Sequence, residues 1–106
     1  MVTINFSELG MPVFTGRARG LSDRARLKLD DIDKKDETVR VLIPSDVYTV
    51  TSSYFLGLFG ESIRALGRDD FIRRYSFDSP SHIAHKIDDW ISRALRSKKN
   101  LFGLED

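Results

Sequence analysis

A chain of 106 residues with 41% hydrophobic and 31% charged content has the size and balance of one soluble globular domain with its own core. Its formal net charge of +1 offers no bulk attraction to nucleic acid or anionic membrane, so any anion binding must be local. The absence of cysteine excludes a disulfide framework, a thiolate nucleophile and a Cys-ligated zinc. No apolar run approaches bilayer-spanning length, and the opening MVTINFSEL lacks the basic start and apolar centre of a signal peptide. A cytoplasmic protein without membrane contact is expected.

In chain order, Val2, Ile4 and Phe6 alternate with Thr3 and Asn5, the period of a strand with one buried face. Leu9 to Pro12 reads as a turn and Val13-Phe14 as a short returning strand, which together predict an N-terminal hairpin. Leu21, Ala25, Leu29 and Ile32 recur at helical spacing and predict one amphipathic helix, capped by Ser22 and ending near Asp33. The mixed charges of residues 33–37 predict a solvated loop. Val39, Val41, Leu42 and Ile43, closed by Pro44, predict a central strand covered on both faces.

After a polar loop, Phe55, Phe59, Ile63 and Leu66 lie on one helical face, widened by Leu56 and Leu58, and the helix is stopped by Gly67. Asp69-Asp70 suits the cap of a short helical turn, and a strand is predicted around residues 74–78. Ile83, Ile87, Trp90, Ile91, Ala94 and Leu95 trace a last helix, entered through Ser79 and Pro80 and running to about Lys98. In the tail at 99–106, Leu101 and Phe102 either dock or leave the segment mobile. The predicted fold is α/β, a single domain over 1–106 with a small four-stranded mixed sheet and about three helices packed on it.

Thr51, Ser52 and Ser53 stand where a loop enters the second helix. The first N–H groups of a helix lack partners and one hydroxyl suffices to cap them, so capping alone is the ordinary reading. Three hydroxyls are more than a cap needs. Ser52, Ser53 and Thr51 are therefore candidate phospho-acceptors, because the positive end of the helix dipole favours added phosphate. Gly57 and Gly60 each cost about 1 kcal/mol relative to alanine inside a helix. Three residues apart, they point either to close packing on the sheet or to a flat strip where another protein approaches. Tyr54, Gly57, Gly60 and Glu61 are accordingly the candidate partner-binding residues.

Arg17, Arg19 and Arg24, beside Gly16 and Gly20, are candidate anion-binding residues at a helix start. The segment lacks both the Gly-Lys-Ser/Thr ending and the dinucleotide fingerprint, and solvated arginines paired to Asp23 or Asp30 are the ordinary alternative. His82 and His85 have neither zinc-site spacing nor a third ligand, so no metal and no cofactor is expected. Trp90 is assigned to the core. No nucleophile, base and orienter are spaced for catalysis, and no enzymatic activity is expected.

The stretch VRVLIPSDVYTVTSSYFLGLFGESIRALG, a strand, a loop, paired serines and a helix, resembles the centre of the STAS domains of sulfate transporters and anti-sigma factor antagonists. It resembles most the STAS-like domains found as small free-standing bacterial proteins, as does Phe14-Thr15-Gly16-Arg17-Ala18-Arg19-Gly20 with Arg24. The resemblance runs from about Phe14 to Leu95. It implies a sheet backed by helices and a non-enzymatic signalling module that binds a partner protein through the helix beginning at Ser52. In the anti-sigma factor antagonists an Asp-Ser-Ser/Thr-Gly motif at this place carries a phosphorylated serine and engages a kinase with a histidine-kinase-like ATP site. Laid onto that motif, Ser52 takes the phosphorylated position and Ser53 the next hydroxyl, with Thr51 in place of Asp and Tyr54 in place of Gly. The implied partner is a histidine-kinase-like ATPase or a serine kinase. The alternatives are an anion- or nucleotide-binding domain using the Arg17/Arg19 loop, and a homodimer joined through the glycine strip or an exposed sheet edge.

Overall fold

A computed structural model describes residues 1–10 and 12–97. The predicted end of the last helix at Lys98 and the docking of Leu101 and Phe102 lie outside the described residues. In chain order the elements are β1 (Val2–Asn5), a 3-10 turn (Phe6–Glu8), β2 (Val13–Phe14), α1 (Arg17–Leu27), α2 (Leu29–Lys34) and β3 (Val39–Leu42). There follow β4 (Thr49–Val50), α3 (Ser52–Leu66), α4 (Arg68–Arg74), β5 (Tyr75–Asp78) and α5 (Ser81–Ser97).

The fold is α/β, but its strands form two small parallel sheets rather than one mixed sheet of four. β1, β3 and β5 pair in that order, with Ile4, Val41 and Phe77 in register, and β2 pairs separately with β4. The predicted hairpin is replaced because the chain between β1 and β2 is claimed from elsewhere. Arg19 of α1 donates to the carbonyls of Leu9 and Gly10 at 2.7 and 2.8 Å and to that of Val13 at 2.5 Å. Pro12 O accepts the Tyr48 N–H at 2.8 Å, which aligns β2 with β4, a strand that the polar loop gave no sign of.

β3 is central, as predicted, yet it is covered on one face only. Ile4, Val39, Val41 and Tyr75 are buried beneath the helices, while Thr3, Arg40 and Ser76 stand exposed on the other side. An uncovered parallel sheet is unusual, and here its outer face is polar.

The predicted first helix is also two. α1 begins at Arg17, five residues before the expected cap at Ser22, with Gly16 at φ 90 ahead of it. It ends at Lys28, which adopts the left-handed conformation at φ 58 before α2 starts. Leu21 and Ala25 are exposed, and the buried side of α1 is instead Gly20, Asp23 and Arg24.

α3 is the central helix, buried from Tyr54 through Gly60 and again at Ser62 and Ile63, with α1 and α5 packed against it. Its predicted stop holds: Gly67, at φ 82, donates its N–H to Ile63 O at 2.8 Å. Ring contacts tie α3, α4, β5 and α5 together, among them Phe55–Trp90 at 4.9 Å and Phe71–Tyr75 at 4.5 Å. Ile83, Ile87, Trp90, Ile91 and Ala94 supply the buried face of α5, as their spacing predicts.

Candidate functional site

β4 feeds directly into the first turn of α3. Thr51 donates its N–H to Phe14 O at 3.0 Å, and its own carbonyl accepts from Phe55 N at 3.0 Å. Its hydroxyl oxygen accepts the Tyr54 N–H at 3.3 Å. Thr51 is therefore the cap. Ser52 and Ser53 lie half-buried in the first turn, and neither makes a side-chain hydrogen bond among the described residues. Two apolar side chains on the small β2–β4 sheet and its approach are exposed, Tyr48 at 78% and Val13 at 39%. The junction thus combines two unbonded hydroxyls, a helix N-terminus and exposed apolar surface on the strands that lead into it.

The next residue points the other way. Tyr54 is fully buried, and its hydroxyl donates to Asp23 Oδ2 at 2.7 Å. Burial, and then the bond to the Asp23 carboxylate, hold this phenol well above the ordinary tyrosine range. Asp23 also accepts from Arg26 at 3.0 Å. Gly57 meets α1, not the sheet and not solvent: a Cβ there would collide with Arg17 O and lie 3.1 Å from both Gly20 Cα and Leu21 N. A Cβ on Gly20 would collide in turn with Tyr54 O and lie 2.8 Å from Leu58 N. The two glycines mark a helix crossing too close for any side chain. Gly60 is buried beside the Arg64 guanidinium, and of the four candidate partner-binding residues only Glu61 is exposed.

Two of the three candidate anion-binding arginines have their donors engaged within the fold. Arg19, besides its three carbonyl acceptors, lies over Phe14 at 4.6 Å and Tyr54 at 5.6 Å from the ring centroids. Arg24, 6% exposed, donates to Leu58 O and Ser62 Oγ at 2.9 Å each, and to Asp30 at 2.6 Å. Arg17 is half-buried in the first turn of α1.

Around Arg24 lies a buried polar network, of which the sequence pointed only to the pairing with Asp30. Asp33 accepts from Ser62 Oγ, from Tyr75 OH at 2.5 Å and from Arg24 at 3.5 Å. Burial, with the bond to Asp33 next, raises the Tyr75 phenol above its usual range. Arg74 donates to the carbonyls of Ile32, Asp33 and Glu37 at 3.3, 2.9 and 3.2 Å. These bonds fasten α2 to α1, α3, α4 and β5. The spacing signal is silent on them because buried charges break an apolar stripe.

His82 and His85 are exposed on α5, and among the described residues no three His, Asp or Glu side chains cluster as metal ligands. A crevice of about 480 Å³ lies at the carboxyl ends of β1, β3 and β5, lined by Asn5, Ser7, Leu42, Asp78 and Ser79 among others; none of the candidate hydroxyls or arginines lines it. Among the described residues, no helix is long and apolar enough to cross a membrane. Comparison with family models, with curated proteins and with solved structures finds no match.

Proposed function

We propose that this chain is a non-enzymatic, cytoplasmic regulatory module of STAS-like type that binds a partner protein at the start of α3 and is switched by phosphate on Ser52 or Ser53. The observation that carries the reading is the division of the three hydroxyls. Thr51 alone serves the helix, which leaves Ser52 and Ser53 unbonded and half-exposed at the positive end of a 15-residue helix. A phosphate there meets the helix dipole favourably without breaking an existing bond. Tyr54 stands where the related motif has a small residue, but its side chain turns inward to Asp23, so the surface around the serines stays clear. Exposed Tyr48 gives a partner an aromatic anchor of the kind that dominates binding energy.

The anion-binding alternative is weaker, because Arg19 and Arg24 already direct their donors to carbonyls, Ser62 and Asp30. A histidine-kinase-like ATPase or serine kinase encoded beside this chain is the partner to try first. Incubation with that protein and ATP, read by mass spectrometry, is expected to place one phosphate on Ser52 or Ser53. Calorimetric titration is expected to show a complex weakened at least tenfold by Tyr48→Ala. No phosphate and no complex across the candidate kinases overturns the proposal.

A further inference from the structure

β5 is an edge strand, and the polar groups along its free side form a pattern. Asp78 directs its carbonyl to β3, accepting from Ile43 N at 2.8 Å. The same peptide unit turns the Ser79 N–H outward, and by alternation along the strand, which ends at Asp78, Tyr75 and Phe77 direct their carbonyls outward. The Tyr75 N–H is taken by Phe71 O at the end of α4. What remains on the edge is an acceptor at Tyr75, a donor and an acceptor at Phe77, and a donor at Ser79, none with a partner among the described residues. Alongside runs a cleft of about 410 Å³ whose walls include Ile72, Phe77, Ile87 and Ile91. Ile72 on its lip is 51% exposed. The strand YSFD carries no lysine, proline or bulge of the kind that protects an exposed edge.

We propose that this edge pairs with the same edge of a second copy of the chain, antiparallel about a two-fold axis through Phe77, to give a continuous six-stranded sheet. The occupant follows from the pattern, because acceptor, donor–acceptor, donor is its own complement when reversed. Phe77 N–H and C=O bond those of the partner's Phe77, and each Ser79 N–H meets the C=O of the partner's Tyr75. All four free groups on each strand are then satisfied. On the outer face this register sets Asp78 opposite the partner's Ser76, so no two carboxylates face each other across the seam. The charges near the cleft do not oppose association either, since Asp88 is paired with Arg68 at 2.7 Å. The two copies of Ile72 close over the cleft from both sides, an isologous contact of the commonest oligomer type.

Sedimentation of the whole chain from micromolar to millimolar concentration is expected to show a monomer–dimer equilibrium. Ile72→Lys alters an exposed side chain without touching the core and is expected to weaken it at least tenfold. The register has its own test, since residues 76 and 78 of opposite strands form a non-hydrogen-bonded pair with Cα atoms about 4.5 Å apart, within reach of a disulfide. In a chain without native cysteine, Ser76→Cys combined with Asp78→Cys is expected to give a covalent dimer on mild oxidation, and Ser76→Cys alone to stay uncrosslinked over the same time. A monomer at every concentration, a dimer indifferent to Ile72→Lys, or equal crosslinking by the single and double variants overturns the proposal.

Discussion

α5 meets the rest of the fold with Ile83, Ile87, Trp90, Ile91 and Ala94, whereas α1 meets α3 with Gly20, Asp23 and Arg24. The first contact is apolar and ordinary, with side chains filling the space between two helices. In the second, two glycines let the backbones approach, and the polar groups beside them are paired one by one: Asp23 with Tyr54, and Arg24 with Leu58 O, Ser62 and the carboxylates of α2. Apolar contact tolerates adjustment because it has no direction. The α1 contact does not, since each buried charge left alone is costly and each added atom meets backbone. The helix that carries the candidate hydroxyls is thus held loosely in chemistry on one side and tightly on the other.

The largest effect that separates the two sides comes from one methyl group. Gly57→Ala forces a Cβ into Arg17 O, and a net loss of about 2 kcal/mol or more is expected after the gain in helix propensity. Gly60→Ala, three residues on, meets only the movable end of Arg64 at 3.2 Å. It should leave stability unchanged or raise it by up to about 1 kcal/mol. Urea unfolding of both variants measures the difference, and equal effects would mean that the helices do not cross at Gly57.

Alkaline pH gives the next largest separation. Tyr54 and Tyr75 have their pKa values raised in the folded state by burial and by bonds to Asp23 and Asp33. Their contribution is fully present below the unfolded value of about 10 and is lost as pH rises beyond it, by up to about 1.4 kcal/mol per pH unit for each phenol. Unfolding midpoints should therefore fall steeply above about pH 10. Tyr54→Phe is expected to make that fall shallower; an unchanged slope would place the Tyr54 hydroxyl outside the polar contact.

The same contrast explains what could be read from the sequence. The apolar face of α5, the stop at Gly67 and the strand predicted around residues 74–78 rest on local rules, and each appears where those rules place it, the strand as Tyr75–Asp78. The stripe Leu21, Ala25, Leu29, Ile32 had the same form and placed Leu29 and Ile32 against the core, but its first half misled, because α1 buries its glycine and charges and exposes Leu21 and Ala25. Periodicity assumes that burial follows hydrophobicity, and a contact made by backbone approach and ion pairs inverts it. The sheet failed for a different reason. Val13-Phe14 lies close to β1 in sequence, yet Arg19 and Pro12 bind it into register with β4, and such long-range choices leave no local mark. At the candidate site, the surplus of hydroxyls was visible at once. Which of them caps followed from α3 starting at Ser52, and that Tyr54 turns inward depended on the Asp23 carboxylate 31 residues away.

Thr51 caps α3, whereas Ser52 and Ser53 make no side-chain hydrogen bond among the described residues; the stability of Thr51→Ala beside that of the double variant Ser52→Ala, Ser53→Ala tests this division. Urea denaturation at neutral pH should show Thr51→Ala less stable by about 1 kcal/mol, the usual worth of a lost cap. The double variant should stay within about 0.5 kcal/mol of the native chain, as surface substitutions do. A double variant that loses more than Thr51→Ala would mean that the two serines serve the fold and that Thr51 is not the sole cap.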